Sequence, residues 1–136
     1  MSGERTQATG SIEVTGWVPE PYDEADGAPG LVRIDVTEVF HGDIEGQGHA
    51  QMLQALLPDG SAHFVGHERV TATLGGRSGT FVFQDVGTLG VGGDVHGAWF
   101  VVPGSGTGGL AGLHGEGSFT AEVGAHAVIS LDYWFE

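Results

Sequence analysis

Read for hydrophobic and polar positions, the chain alternates more often than it follows a helical period. From Leu31 to His41, Val32, Ile34 and Val36 alternate with Arg33, Asp35 and Thr37, the period-two signature of a strand. On propensity alone, helix would suit His49–Asp59 and Ala125–Glu136, two of the few long stretches free of Gly. The recurring alternation instead predicts eight strands: Ser11–Trp17, Leu31–Phe40, His49–Leu57, His63–Leu74, Thr80–Thr88, Val95–Val102, Leu110–Glu122 and Ala125–Phe135. Turn residues punctuate them, as in Pro58-Asp59-Gly60 and Gly75-Gly76. The acidic stretch Glu20–Gly30, broken by Pro and Gly, reads as a long loop between the first two strands.

Eight short strands with no crossover helix imply an all-β antiparallel sheet. Closure into an eight-stranded β-barrel removes both sheet edges, and Gly within strands suits the bending that closure demands. A two-sheet sandwich is the alternative. Residues 1–136 are expected to form one domain, given the length.

The faces can be assigned from the same alternation. On the fourth strand Phe64, Gly66, Glu68, Val70, Ala72 and Leu74 form the more apolar side and are expected inside. His67 and Arg69 lie on the other side, and would be the lumen residues if the assignment were reversed. Phe81, Phe83 and Asp85 share a face on the fifth strand, Val95, Gly97, Trp99 and Val101 on the sixth, and Ile129, Leu131, Tyr133 and Phe135 on the eighth. A barrel of this size either fills with side chains or holds one small ligand. The third and sixth strands are apolar on both faces, which a monomeric barrel does not need, so a homo-oligomer, dimer or trimer, is expected.

Composition narrows the function. With 18 acids, four Arg and no Lys, the formal charge is −14. That excludes the positive face that nucleic acid or anionic lipid requires. No Cys is present, so neither disulfides nor thiolate chemistry arise. The first residues hold no apolar run of the kind a secretory signal needs, and no stretch is long enough for a membrane helix, so the expected address is cytoplasmic.

The run Gly104-Ser105-Gly106-Thr107-Gly108-Gly109 looks like a phosphate loop, but no helix follows to hold a pyrophosphate, and it reads as a glycine hairpin between the sixth and seventh strands. Seven His suggest a metal, yet no two are spaced i, i+2, and His63 and His67 would stand roughly 13 Å apart on a strand. No metal or cofactor is expected. The candidate chemistry is a carboxylate inside an aromatic lumen: Glu68, or Glu13 from the first strand, as acid, base or charge stabiliser. Trp17, Phe81, Trp99 and Tyr133, with His67 and Arg69, are the candidate substrate-binding residues.

Five stretches carry a resemblance: Ile12–Thr15, Glu20–Glu24, Gly66–Val70, Val102–Gly108 with Gly112–Gly115, and Leu131–Glu136. In these the chain resembles the bacterial domain-of-unknown-function family 3224, in the allene oxide cyclase-like barrel superfamily. His67 departs from the pattern, where a residue such as Leu is expected. The resemblance implies an eight-stranded antiparallel barrel, often oligomeric, with no established activity for the family. The superfamily's enzymes are cofactor-free cyclases, some of them natural-product cyclases, that fold a flexible apolar substrate inside the barrel. The expected function is therefore binding of a small apolar molecule in the lumen, with cyclisation or isomerisation as the chemistry. A non-catalytic carrier or a structural interaction barrel is the alternative.

Overall fold

The computed structural model describes residues 4–136. Eight antiparallel strands close in sequence order into a barrel, with β8 returning to β1. They are β1 (Thr6–Asp23), β2 (Gly30–Gly42), β3 (Ile44–Leu56), β4 (Ala62–Leu74), β5 (Arg77–Leu89), β6 (Val95–Val101), β7 (Leu113–Ala121) and β8 (Ala127–Phe135). The sandwich alternative is excluded by this closure. Neither stretch that propensity made helical forms a helix: residues 49–56 belong to β3 and 127–135 to β8. Ladder bonds on both sides of each segment outweigh the small helix preference of residues such as Leu, Gln and Ala.

Several boundaries differ from the sequence reading; β1 begins early, at Thr6, and β5 at Arg77. The predicted acidic loop is mostly strand, because Glu20–Asp23 pairs with β2, and only 24–29 turn. β3 begins five residues early, at Ile44. β7 begins late, at Leu113, because Gly108–Leu110 makes a single 3-10 turn instead of a strand. That turn has a purpose in packing. It drives Leu110, fully buried, into one end of the barrel, and the Thr107 and Thr80 hydroxyls hold it in place at 2.6 Å.

The face assignment on β4 follows strict alternation: every second residue from Ala62 to Leu74 is buried and every intervening one is exposed. The lumen is filled unevenly. At the end sealed by Leu110, Phe40, Ile44, Val70, Leu74, Phe81, Phe83, Leu113 and Leu131 leave almost no surface exposed. Toward the other end, large and small residues complement one another across four strands. Phe64, Gly87, Gly97 and Phe119 are successive register partners on β4, β5, β6 and β7. The two rings lie over the two glycines, so a β-carbon on either glycine would overlap a ring. The ring centroids stand 6.3 Å apart. Glycine is needed here because a neighbouring side chain occupies the space that a β-carbon would take.

β1 outruns β8. It pairs with β8 only from Thr6 to Ile12, yet pairs with β2 as far as Asp23. Beyond Ile12 one edge of β1 has no strand beside it, and the barrel wall parts there. A bulge adds to the effect: Thr15 and Gly16 together oppose Thr37, so the register shifts by one residue. Such an insertion exchanges the faces of all that follows. Trp17 therefore becomes the partner of inward-facing Val36, where unbroken alternation from Ile12 would have turned it outward.

The ring-over-glycine packing makes a stability prediction. Gly97→Val should destabilise the fold by about 1–3 kcal/mol through overpacking. Trimming the opposing ring in Gly97→Val/Phe119→Leu should recover part of that loss. Additive losses in a double-mutant cycle by urea unfolding would contradict the proposed complementarity.

Candidate functional site

Where β1 and β8 part, a cavity of about 510 Å³ opens into the unfilled half of the lumen. Its wall includes Ile12, Val36, Met52, Phe64, Trp99 and Phe119, with Trp17 and the turns around Gly93 and Gly124 at the mouth. Its floor is acidic. Glu68 is 1% exposed and Asp85 4%, and they are the two buried charged side chains of the core. Oε2 of Glu68 and Oδ1 of Asp85 have no hydrogen-bond partner.

The strand register explains why these carboxyls meet. Glu68 faces Phe83 on β5, so Asp85, two residues on, is its diagonal neighbour on the same face. Glu38 is reached from the other side. Its register partner on β3 is Gly48, and a β-carbon at Gly48 would overlap the Glu68 carboxyl. The missing side chain lets Glu68 lie across β3 toward Glu38. Three carboxyls from β2, β4 and β5 thus converge.

Their environment favours the protonated form. Burial pushes Glu68 well above the usual carboxylate range, and the hydrogen bond and charge of Glu38, then the charge of Asp85, push it further. Burial likewise raises Asp85, from 3.8 to about 7, with Glu38 adding to the rise; His67 and the backbone amides of Asp85 and Gly66 oppose it. The aromatic side of the floor is rigid. Trp99 sits opposite Asp85 on β6 and stacks on Phe83 at 3.9 Å with the planes 2° apart. Its indole N–H donates to the Ser130 carbonyl at 3.1 Å. This arrangement can hold an apolar body against ring faces and present one or two carboxyl groups to a polar atom on it.

Of the sequence-predicted residues, the structure brings Glu68, Trp99 and Trp17 to one cavity. Trp17 does so from the mouth, at 53% exposure. Glu13 reaches only the rim: it alternates to the outside of β1, and its carboxylate turns to His41 at 3.7 Å. Phe81 and Tyr133 face inward but are locked in the sealed end, Phe81 edge-on to Phe83 and the Tyr133 hydroxyl under Gly75. His67 and Arg69 correct the sequence expectation. Alternation places both on the outer surface, where His67 meets Gln84 at 3.1 Å. Sequence reasoning passed over Glu38, Phe119 and the permissive Gly48, and it placed Phe64 on the inner face without naming it among the binding residues. Glu38 was within reach, since it continues the apolar series Val32, Ile34, Val36 by one more step.

Among the described residues no group of three His, Asp or Glu side chains is placed to hold a metal ion. No helix there is long and apolar enough to cross a membrane. A second depression, shallow and about 670 Å³, lies on the outer wall between Tyr22, Leu53, Val65, Val86 and Ala98. It is larger than the lumen cavity, and no carboxyl side chain lines it.

Fold and site together define a closed antiparallel β-barrel with an acidic, aromatic-walled lumen. Residues 8–133 match the family described as Protein of unknown function (DUF3224), and the chain belongs to that family. A crystal structure of a protein of unknown function from the same family, from Shewanella oneidensis MR-1, is similar at 32% identity with a TM-score of 0.77, over 98% of this chain and 99% of that one. No curated protein matches the chain.

The raised carboxyl values predict a definite pH response. Between pH 3.8 and about 7 the folded protein keeps a proton on Asp85 that the unfolded chain has lost. This contribution is fully present below the unfolded value and is lost as pH rises through the folded one. Asp85→Asn, which cannot ionise, should therefore gain stability relative to the parent between pH 5 and pH 8, by on the order of 2 kcal/mol. Chemical denaturation at both pH values measures this. An equal difference at the two pH values would refute a raised Asp85.

Proposed function

We propose that the barrel binds a small, largely apolar molecule in its lumen and uses Glu68 as a proton donor for a cofactor-free isomerisation or cyclisation. The observation that carries this reading is the pair of buried carboxyl side chains, Glu68 and Asp85, on the lining of an open cavity. A volume of about 510 Å³ is in the range of small-molecule sites. A carboxylic acid kept protonated by burial can deliver a proton to a substrate double bond or leaving oxygen, and Asp85 with a value of about 7 can accept one at neutral pH. The Trp99, Phe64 and Phe119 side chains that line the cavity would hold a flexible carbon skeleton in a reactive shape. The superfamily resemblance supports the same class of chemistry, since its enzymes are cofactor-free cyclases acting inside a barrel.

The test separates catalyst from carrier. Ligands are first found by protein-observed NMR on a library of apolar fragments and terpenoid-like molecules, and each binder is then incubated with the protein in deuterium oxide. The acid–base reading predicts isomerised product or deuterium on carbon, and Glu68→Gln should slow this by on the order of 10²-fold while binding persists. Binding without turnover or deuterium incorporation by the parent protein would establish the carrier reading instead. A carrier is favoured by one feature: Oε2 of Glu68 and Oδ1 of Asp85 have no hydrogen-bond partner to orient them.

We further infer that the protein works as a homo-oligomer through the outer wall of β3–β6. Leu53, Val65, Val86 and Ala98 are successive register partners there, with Phe100 beside them. No Asp or Glu lies on the outer face of β4, β5 or β6. In a chain of charge −14, this is where a second copy can approach with least repulsion. Light scattering at micromolar concentration should give a multiple of 14.0 kDa, and Leu53→Asp/Val86→Asp should reduce it to one chain with an unchanged circular dichroism spectrum. A single-chain mass for the parent protein would overturn the assignment.

A further inference from the structure

The charges around the lumen narrow the class of ligand, on the premise that the lumen is the binding site. Carboxyl groups of Glu38, Glu68 and Asp85 line the cavity, and Glu13 and Glu122 stand at its rim. None of the four Arg lines it. Arg5 pairs with Glu116, Arg33 with Glu20, Arg77 covers the Phe135 ring, and Arg69 is on the outer face of β4. The sole imidazole on the lining is His126, in the exposed turn at the mouth. On the lumen side the floor therefore holds acids without a basic group; His67, which acts on Asp85, does so from the outer face of β4.

Unpaired buried carboxyl oxygens are costly, and the core would be more stable with apolar residues of similar shape. Oε2 of Glu68 and Oδ1 of Asp85 are such atoms. Both are acceptors when ionised; both residues line the cavity, with Oε2 of Glu68 lying beneath its surface over Gly48. An N–H donor carrying positive charge satisfies them together and relieves the mutual repulsion of the three acids. A neutral acceptor could take a hydrogen bond from one protonated acid but would leave the others facing each other. An anion would meet like charge on every polar surface. The walls add to the discrimination, because the Phe64 and Phe119 rings on the lining offer aromatic surface to a cation.

We propose that the lumen takes an apolar ligand bearing one protonated amine, with the ammonium seated between Glu68 and Asp85 and the hydrocarbon body against Trp99, Phe64 and Phe119. Trp17, brought inward by the bulge at Thr15, closes over the far end of the ligand at the mouth.

Three probes of one shape and different charge decide this: tryptamine, tryptophol and indole-3-propionate. Each is titrated into the full chain at pH 7.5 by calorimetry, with chemical-shift mapping of the lumen residues. Tryptamine should bind at least tenfold more tightly than tryptophol, and indole-3-propionate most weakly. In Glu68→Gln/Asp85→Asn the tryptamine advantage should vanish while tryptophol binding is kept. Asp85→Asn alone serves if the double variant fails to fold, and should reduce the advantage at least threefold. Tryptophol binding as tightly as tryptamine, or an amine preference that survives these substitutions, would overturn the cationic assignment and leave a lumen site for neutral ligands. Binding of neutral fragments but not of tryptamine would do the same. If neither these probes nor any member of the apolar library shifts a lumen resonance, the lumen is no binding site and the premise itself fails.

Discussion

Barrel closure is the constraint on which the rest of this structure depends. Closing eight strands gives nearly every backbone group a partner, but it also creates an interior whose diameter is fixed by strand number. That interior must be filled or left hollow. Here both solutions occur in one lumen: aliphatic and aromatic side chains with the inserted Leu110 fill one end, while β1 leaves β8 at Ile12 and opens the other. The site arises at the boundary between the two, where Glu68 and Asp85 sit just above the packed layer of Phe40, Phe83 and Val70.

Glycine positions turn this constraint into a specific cavity. Gly87 and Gly97 accept the rings of Phe64 and Phe119, which become wall instead of filling the bore. Gly48 accepts the Glu68 carboxyl, which brings it to Glu38. The 26 glycines of the chain thus include several that shape the lumen by the volume they omit. Burial then determines the chemistry. Trp99, fixed by its stack on Phe83 and its bond to Ser130, stands beside Asp85 on the next strand. The charged forms of the carboxyls are disfavoured until a ligand supplies a counter-charge or a proton is passed on.

Much of this was legible from the pattern of residues. Strict alternation on β4 places Glu68 inside, and the aromatic faces of β5, β6 and β8 follow from the same rule. Glu38 was legible too, since the series on β2 continues to it unbroken. What alternation cannot reveal is depth along the barrel axis. Phe81, Tyr133 and Trp99 all face inward, but only register and closure tell that the first two belong to the sealed end. Nor does alternation reveal a bulge. The inward turn of Trp17 depends on Thr15 and Gly16 sharing one partner across the ladder, a tertiary fact with no local signature. Gly48 was illegible for a similar reason, because its importance lies in the side chain of another strand.

The central claim is that the lumen floor carries carboxyl groups whose ionisation is suppressed by burial and by one another. Carbon-13 NMR titration of side-chain carboxyl resonances, assigned through Asp85→Asn and Glu68→Gln, observes it directly. The account predicts an Asp85 midpoint at about 7 and a Glu68 midpoint well above the ordinary glutamate value, with each substitution displacing the other's titration. Midpoints near 4 for both groups, unmoved by either substitution, would contradict it.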